Sequence, residues 1–146
     1  MKVTRQHLSQ FLALTSWQRR FLIEAAVRLP IVDLRLRAQG LQKLRRKIEA
    51  RGLGRASNSD ADKAGTASQM ANLVAIVSRH GLVEGTCLSR SLVLLWMLRR
   101  HEIEAELVVG IRRDDAKDGH AWVELGGQPL NASAIVSKRF DPFPAL

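Results

Sequence analysis

The chain has 146 residues, 46% of them hydrophobic and 25% charged, which is enough for one domain with a buried core and short for two. One cysteine excludes an internal disulfide and the multi-cysteine zinc sites, and it suits a reducing compartment. The N-terminus lacks the apolar core of a signal peptide, and no stretch is long and apolar enough to span a bilayer. We therefore expect a cytoplasmic protein with no transmembrane segment.

The net charge of +9 is concentrated at the N-terminal end. Residues 1–55 contain 13 Lys and Arg against 3 Asp and Glu, whereas residues 56–146 contain 10 against 11. A basic surface of this kind attracts an acidic peptide or protein, lipid headgroups or nucleic acid. Aromatic residues are only 5% and no recognised nucleic-acid motif is present, so nucleic-acid binding is an alternative and not the first reading.

The first third of the chain is predicted to be helical. Apolar residues recur at three- and four-residue steps over 8–29, and Pro30 should end or kink this helix. A second, basic helix is predicted over 31–50, with Gly40 bending or interrupting it. Most of its cations are expected on a solvated face.

A change of composition separates this basic part from the rest. Residues 51–66 are small and polar, which predicts a loop, and apolar spacing over 68–79 predicts a short third helix. The chain accordingly divides into three predicted parts: a basic helical region (1–52), a flexible loop (53–67) and a core (68–146).

The cysteine stands where the most apolar helix begins. Gly85 and Thr86 form a predicted entry turn, which puts Cys87 at or near the first helical position. Unpaired backbone N–H groups and the positive end of the helix dipole favour the thiolate there, the nucleophilic form. The alternative is a cysteine that only packs in the core, as lone buried cysteines commonly do.

The period of the apolar residues changes to two after Arg100, which predicts strands over 103–111, 120–125 and 128–132. Gly126-Gly127 is predicted to be a two-residue hairpin turn between the last two. The tail over 140–146 should be extended and pack across the surface.

The hairpin register brings polar residues together. Leu125 should face Gln128, and counting back then puts His120, Trp122 and Asn131 on one face of the sheet. We expect the amide oxygen of Asn131 to accept from one imidazole nitrogen of His120, leaving the other free to take a proton from the cysteine.

The sequence blocks that carry this pattern resemble a known family. Thr86-Cys-Leu-Ser-Arg-Ser91, His120-Ala-Trp-Val-Glu124 and Leu130-Asn131 closely resemble the lasso-peptide leader peptidases, which are transglutaminase-like cysteine proteases. The resemblance is strongest over about residues 70–131. It implies an α+β fold with a transglutaminase-like or papain-like core, in which a cysteine-bearing helix packs on a small antiparallel sheet after N-terminal basic helices.

The resemblance also implies the site. The family's cysteine falls on Cys87 and its histidine on His120, and the third member, often aspartate, falls on Asn131. Asp118 and Asp141 remain alternatives for that third role. No metal and no cofactor are implied.

Two further residues are candidates for substrate contact. Trp122 is either a wall of the site or a core indole, and Arg90 either binds substrate or ties its helix to the surroundings.

The implied reaction is removal of the leader from a ribosomally made precursor peptide. The expected partners are that precursor and a separate leader-recognition protein, with the macrolactam cyclase as a further candidate and no nucleic acid. Two alternatives stay open on the same fold: a non-catalytic peptide-binding or assembly subunit, and acyl transfer at the same thiol.

Overall fold

The computed structural model describes residues 13–50, 60–80, 85–115 and 117–143. The elements in chain order are α1 (Ser16–Gln39), α2 (Leu41–Glu49), α3 (Asp60–His80), α4 (Cys87–Arg100), β1 (Glu106–Arg112), β2 (Gly119–Leu125), β3 (Gln128–Pro129), α5 (Ala134–Ser137) and β4 (Phe140–Pro142). The strands form one antiparallel sheet in the order β3-β2-β1-β4. The predicted α+β architecture is confirmed.

Helix α4 is the centre of the fold. Every residue from Ser91 to Leu98 is buried, which is the pattern of a helix that is covered all round. The helix packs against α1, α2 and α3 and also against β1 and β2. Apolar residues of α1 and α2 belong to the same core cluster as α4, so the basic helices and the cysteine helix share one core.

Helix α1 runs through Pro30, where the sequence predicts an end or a kink. Proline removes one backbone hydrogen bond from a helix interior, at a cost of about 3 kcal/mol. Leu29 and Val32, on either side of the proline, are 2% and 0% exposed, and their burial offsets that cost. The break between α1 and α2 comes at Gly40, as predicted, with a positive φ of 77°.

Helix α3 begins at Asp60, eight residues before the predicted start, so much of the predicted loop is helical. Alanines give this segment a high helix propensity, and Ala67 and Met70 anchor it at 0% exposed. Gly65 faces open space and interrupts nothing. The parts of the element predictions that fall on residues 8–12, 51–59 and 144–146 lie outside the described residues.

The sheet differs from its prediction by three residues at two strand ends and by one residue at two others. β1 begins at Glu106, three residues after the predicted start; Ile103 and Ala105 are buried but lie before the ladder. β3 ends at Pro129, short of the predicted residue 132. The two-residue turn is confirmed, since Gly126 and Gly127 have φ values of 57° and 77° and Leu125 pairs with Gln128. The start of the predicted extended tail forms β4, which pairs with β1.

A second, smaller cluster covers the sheet near its β4 edge. The rings of His120, Trp122 and Phe140 lie together, with centroids 5.3 to 6.4 Å apart. They lie over Gly110, which pairs with His120 across β1 and β2. In the described ranges no helix is both apolar enough and long enough to cross a membrane.

Substitution of Gly110 by alanine should destabilise the fold. A Cβ on Gly110 would lie 2.9 Å from Phe140 Cβ and 3.1 Å from the Asp141 carbonyl oxygen, and backbone atoms cannot swing aside. Overpacking of this kind costs about 1–3 kcal/mol, measurable as a lower midpoint in urea unfolding. The exposed Gly65→Ala, which meets no atom within 4 Å, is the matched control and should not destabilise. Equal midpoints for the two variants would contradict this account of the cluster.

Candidate active site

A cleft of about 270 Å³ opens between the start of α4, the start of β2 and the segment that follows β3. Four of the five residues predicted for the site line it, all except Trp122, and helix α3 supplies the opposite wall. The lining residues are Ala71, Asn72, Val74, Ala75, Cys87, Arg90, His120, Ala121, Leu130, Asn131, Ala132 and Ser133. The two sides of the cleft therefore come from segments that are far apart in sequence.

Cys87 is the first residue of α4, as the sequence predicts. Thr86 caps the helix: it has an extended backbone, and its hydroxyl oxygen accepts from the Ser89 N–H at 3.1 Å. The Thr86 carbonyl accepts the first helical hydrogen bond, from the Arg90 N–H at 3.0 Å. The thiol is free and half-buried, so a reagent or a peptide can reach it.

The imidazole of His120 is held by rings. Trp122 stacks on it at 5.9 Å with an interplanar angle of 24°, and Phe140 lies 5.3 Å from it at 34°. Trp122 is itself fixed, because its Nε1–H donates to Glu124 Oε1 at 2.7 Å. Such contacts restrict the tilt of an imidazole without supplying a hydrogen bond.

Burial lowers the pKa of His120 below its ordinary value of about 6.5, and the nearby Arg90 guanidinium lowers this pKa further. The carboxylate of Asp118 acts in the opposite direction as the weakest of the three causes. The imidazole is therefore neutral near pH 7 and able to take up a proton. Because the unfolded state binds that proton at higher pH, acidification below about 6.5 makes this histidine a destabilising group.

Asn131 lines the cleft but has partners other than the predicted one. Its Oδ1 accepts from the Val123 backbone N–H at 2.8 Å, and its Nδ2 donates to Ser91 Oγ at 2.9 Å. Within the described part of the chain, no hydrogen bond joins this amide to His120. The predicted hydrogen bond between Asn131 and His120 is therefore wrong. β3 leaves the sheet at Pro129, and beyond that point the Asn131 amide oxygen takes the place of a main-chain acceptor for the Val123 N–H.

The two aspartates considered for the third role are paired elsewhere. Asp118 Oδ2 accepts from Arg112 Nη1 at 3.2 Å, and Asp141 Oδ1 accepts from Arg113 Nε at 2.7 Å. Among the residues that the structure describes, none forms a hydrogen bond with the imidazole of His120. The ring is oriented by Trp122 and Phe140 instead.

The two predicted substrate-contact residues differ in position. Arg90 lines the cleft and lies partly buried, with its Nε–H directed at the Thr86 carbonyl at 3.4 Å. Trp122 is 2% exposed and lies behind the histidine. The indole therefore supports the site and does not form its wall.

Two residues important to the geometry were not predicted from the sequence. Ser91 lies one helical turn after Cys87, a spacing that could have marked it as facing the same side of α4. Phe140 comes from the C-terminal tail, and no local signal connects it with His120. No group of three or more His, Cys, Asp or Glu side chains suited to a metal ion occurs in the described ranges.

Removal of the Arg90 cation should raise the pKa of His120. Arg90→Gln removes the second-largest cause of the depression while leaving burial, the largest, so the pKa should rise and stay below its ordinary value. Titration of the imidazole ring protons by NMR, assigned with a His120→Gln variant, measures this shift. Arg79→Gln on the exposed face of α3 is the control, and an unchanged His120 midpoint in Arg90→Gln would contradict the proximity of the two charges.

A helix headed by a half-buried cysteine, packed on an antiparallel sheet whose histidine faces the same cleft, is the arrangement of papain-like and transglutaminase-like folds. A comparison with protein families finds that the Transglutaminase-like superfamily matches residues 27–144. The chain belongs to this superfamily. The match begins within α1, so the family region includes most of the basic helices. Comparisons with curated proteins and with solved structures gave no match.

Proposed function

We propose that this protein is a cysteine peptidase that removes the leader from a ribosomally made lasso precursor peptide, with Cys87 as nucleophile and His120 as general base and acid. The observation that carries the proposal is that the chain's one cysteine and a neutral strand histidine face a single cleft. Membership of the Transglutaminase-like superfamily, which includes cysteine peptidases, supports the reaction class. The resemblance of the motifs around Cys87 and His120 to leader peptidases supports the substrate.

The chemistry follows from these two groups. His120 takes the thiol proton of Cys87, and the thiolate attacks the scissile carbonyl carbon. Collapse of the tetrahedral intermediate breaks the C–N bond while the imidazolium gives its proton to the leaving amine. Water, deprotonated by His120, then hydrolyses the thioester and restores the thiol.

The backbone N–H of Cys87 is the proposed oxyanion donor. It is one of the first-turn N–H groups of α4, which have no partner inside the helix. No hydrogen bond in the described residues takes up this group, whereas the Ser89 N–H is used by the Thr86 cap. A donor at a helix start stabilises the developing negative charge without reorganising.

The cleft chemistry supports a peptide substrate. Six of its twelve lining residues are apolar and four of these are alanines, whose small side chains leave room for a chain to lie in the cleft. Arg90 supplies a cation beside the two reacting groups. We propose that Arg90 binds a carbonyl or carboxylate oxygen of the precursor. The basic face of α1 and α2 is proposed to dock the leader-recognition protein with its bound leader.

The direct test is a cleavage assay. The purified chain, the precursor and the leader-recognition protein are incubated at pH 7.5 and analysed by mass spectrometry, which should show two fragments that add up to the precursor plus one water. Rapid acid quenching should trap a species of the protein carrying the leader as a thioester on Cys87. Intact precursor after complete incubation, with the partner protein present, would overturn the proposed substrate.

A further inference from the structure

Three hydrogen bonds connect the cysteine helix, the histidine strand and the segment after β3. Ser91 Oγ donates to the Ala121 carbonyl at 3.0 Å, Asn131 Nδ2 donates to Ser91 Oγ at 2.9 Å, and the Val123 N–H donates to Asn131 Oδ1 at 2.8 Å. Ser91 is 0% exposed, so water does not compete for its hydroxyl. We call this set of bonds the Ser91–Asn131 clamp.

Each bond in the clamp has only one possible direction. A backbone N–H can only donate, so the Asn131 atom that faces Val123 has to be the oxygen. The amide nitrogen then faces Ser91, which must accept because its single hydroxyl hydrogen is used by the Ala121 carbonyl. An amide satisfies both ends. With a carboxylate at this position, Ser91 would have to give up its hydrogen bond to the Ala121 carbonyl or face a second acceptor oxygen with no hydrogen between them.

The clamp is placed between the two proposed catalytic groups. Ser91 is one helical turn after Cys87 and therefore lies on the same side of α4. Ala121 follows His120 directly in β2, so the carbonyl held by Ser91 belongs to the residue next to the histidine. The clamp thus joins the first turn of the cysteine helix to the backbone that carries the imidazole.

We propose that Ser91 and Asn131 are positioning residues that set the distance and angle between Cys87 and His120. The inference rests on the proposed thiol chemistry of Cys87 and His120. In it, Asn131 does not bind the imidazole directly; it helps to hold the helix that carries Cys87 against the strand that carries His120. The rings of Trp122 and Phe140 fix the imidazole within its strand, and the clamp fixes the strand against the helix.

Ser91→Ala, Asn131→Ala and Asn131→Asp test the clamp. In leader cleavage each should lower kcat by about tenfold or more with KM nearly unchanged, because small displacements of reacting groups affect the transition state most. The double variant Ser91→Ala/Asn131→Ala should lose little more than either single variant, because both remove the same contact. Ser78→Ala, a buried serine on α3, is the matched control and should keep kcat.

Asn131→Asp separates the clamp from direct orientation of the imidazole. A carboxylate accepts a hydrogen bond from an imidazole as well as an amide does, so direct orientation predicts that this variant keeps its activity. The clamp predicts that it is as impaired as Asn131→Ala. Wild-type kcat in Asn131→Asp would overturn our inference.

A second readout needs no substrate. The rate of Cys87 alkylation by iodoacetamide, measured from pH 5 to 9, reports how His120 assists the thiol, and a His120→Ala variant gives the profile without that assistance. The profiles of the clamp variants should move toward the His120→Ala profile, and that of Ser78→Ala should not. If the clamp variants keep the wild-type alkylation profile and lose only free energy of unfolding, the clamp has a structural role alone, which overturns the inference.

The two proposals fail differently. If the wild-type chain leaves the precursor intact but the alkylation profile responds to His120→Ala and to the clamp variants, the substrate assignment fails and the clamp stands. If the precursor is cleaved and the clamp variants retain wild-type kcat, the clamp fails and the peptidase stands.

Discussion

Replacement of Cys87 by alanine or of His120 by phenylalanine is expected to lower leader cleavage by about a thousandfold or more. Cys87→Ala removes the nucleophile, and no other cysteine exists in the chain to replace it. His120→Phe retains a ring that can pack between Trp122 and Phe140 while it removes proton transfer, so the fold should survive. The measurement is kcat/KM by quantitative mass spectrometry of the released fragments.

His101→Phe is the matched control for the histidine substitution. His101 also contacts an aromatic ring, that of Phe21 at 5.8 Å, but it is not among the residues that line the cleft. Its replacement should leave cleavage within about twofold of wild type, as expected for a residue outside the site. Cleavage by Cys87→Ala at the wild-type rate would refute the thiol mechanism, and cleavage by His120→Phe at that rate would leave the general base unassigned.

Reversal of three exposed cations on α2 is expected to weaken docking of the leader–recognition-protein complex by about tenfold or more at low ionic strength. Lys43, Arg46 and Lys47 are exposed. Lys47 Nζ donates to Gln39 Oε1 at 2.7 Å, an exposed contact between α2 and α1 whose loss should cost little. Arg45 is left unchanged because its Nε–H donates to Glu49 Oε1 at 2.7 Å, so its reversal would disturb the helix itself. The binding that the triple variant retains should also depend less on salt concentration, since fewer favourable charge pairs remain to be screened.

The control for this prediction reverses the same number of charges elsewhere. Arg79, Lys117 and Lys138 are exposed and lie outside α1 and α2, so their reversal to glutamate changes the net charge equally. Calorimetric titration of both triple variants, at two salt concentrations, compares them directly. Equal affinities would mean that overall charge attracts the partner and that the α2 face has no special part in docking.

The sequence predicts the site's cysteine and its hairpin because local chemistry determines both. Threonine is a favoured N-cap before a segment with helical apolar spacing, and Thr86 has this role here. Two consecutive glycines readily adopt the positive φ values of a two-residue turn, as Gly126 and Gly127 do. The placement of Cys87 and the pairing of Leu125 with Gln128 follow from those local preferences.

Long-range packing decides what the sequence does not predict. Pro30 is helical because Leu29 and Val32 are buried against other elements, and no local pattern reveals that burial. The partner of Asn131 depends on where β3 leaves the sheet, since that point decides whether the amide oxygen meets the Val123 N–H or the imidazole. A register count cannot supply this position.

Helix α4 is packed against both the basic helices and the sheet, and its first residue is the proposed nucleophile. Helix α4 is therefore a packed connection between α2, the proposed docking face, and the cleft, and coupling between a docked partner and a bound peptide could use it. Thermodynamic linkage makes such coupling reciprocal, so a partner that tightens peptide binding is itself held more tightly when the cleft is filled. Close-packed interiors transmit strain, so a small shift of α4 where it meets α2 would also move the sulfur atom of Cys87 at the start of the helix.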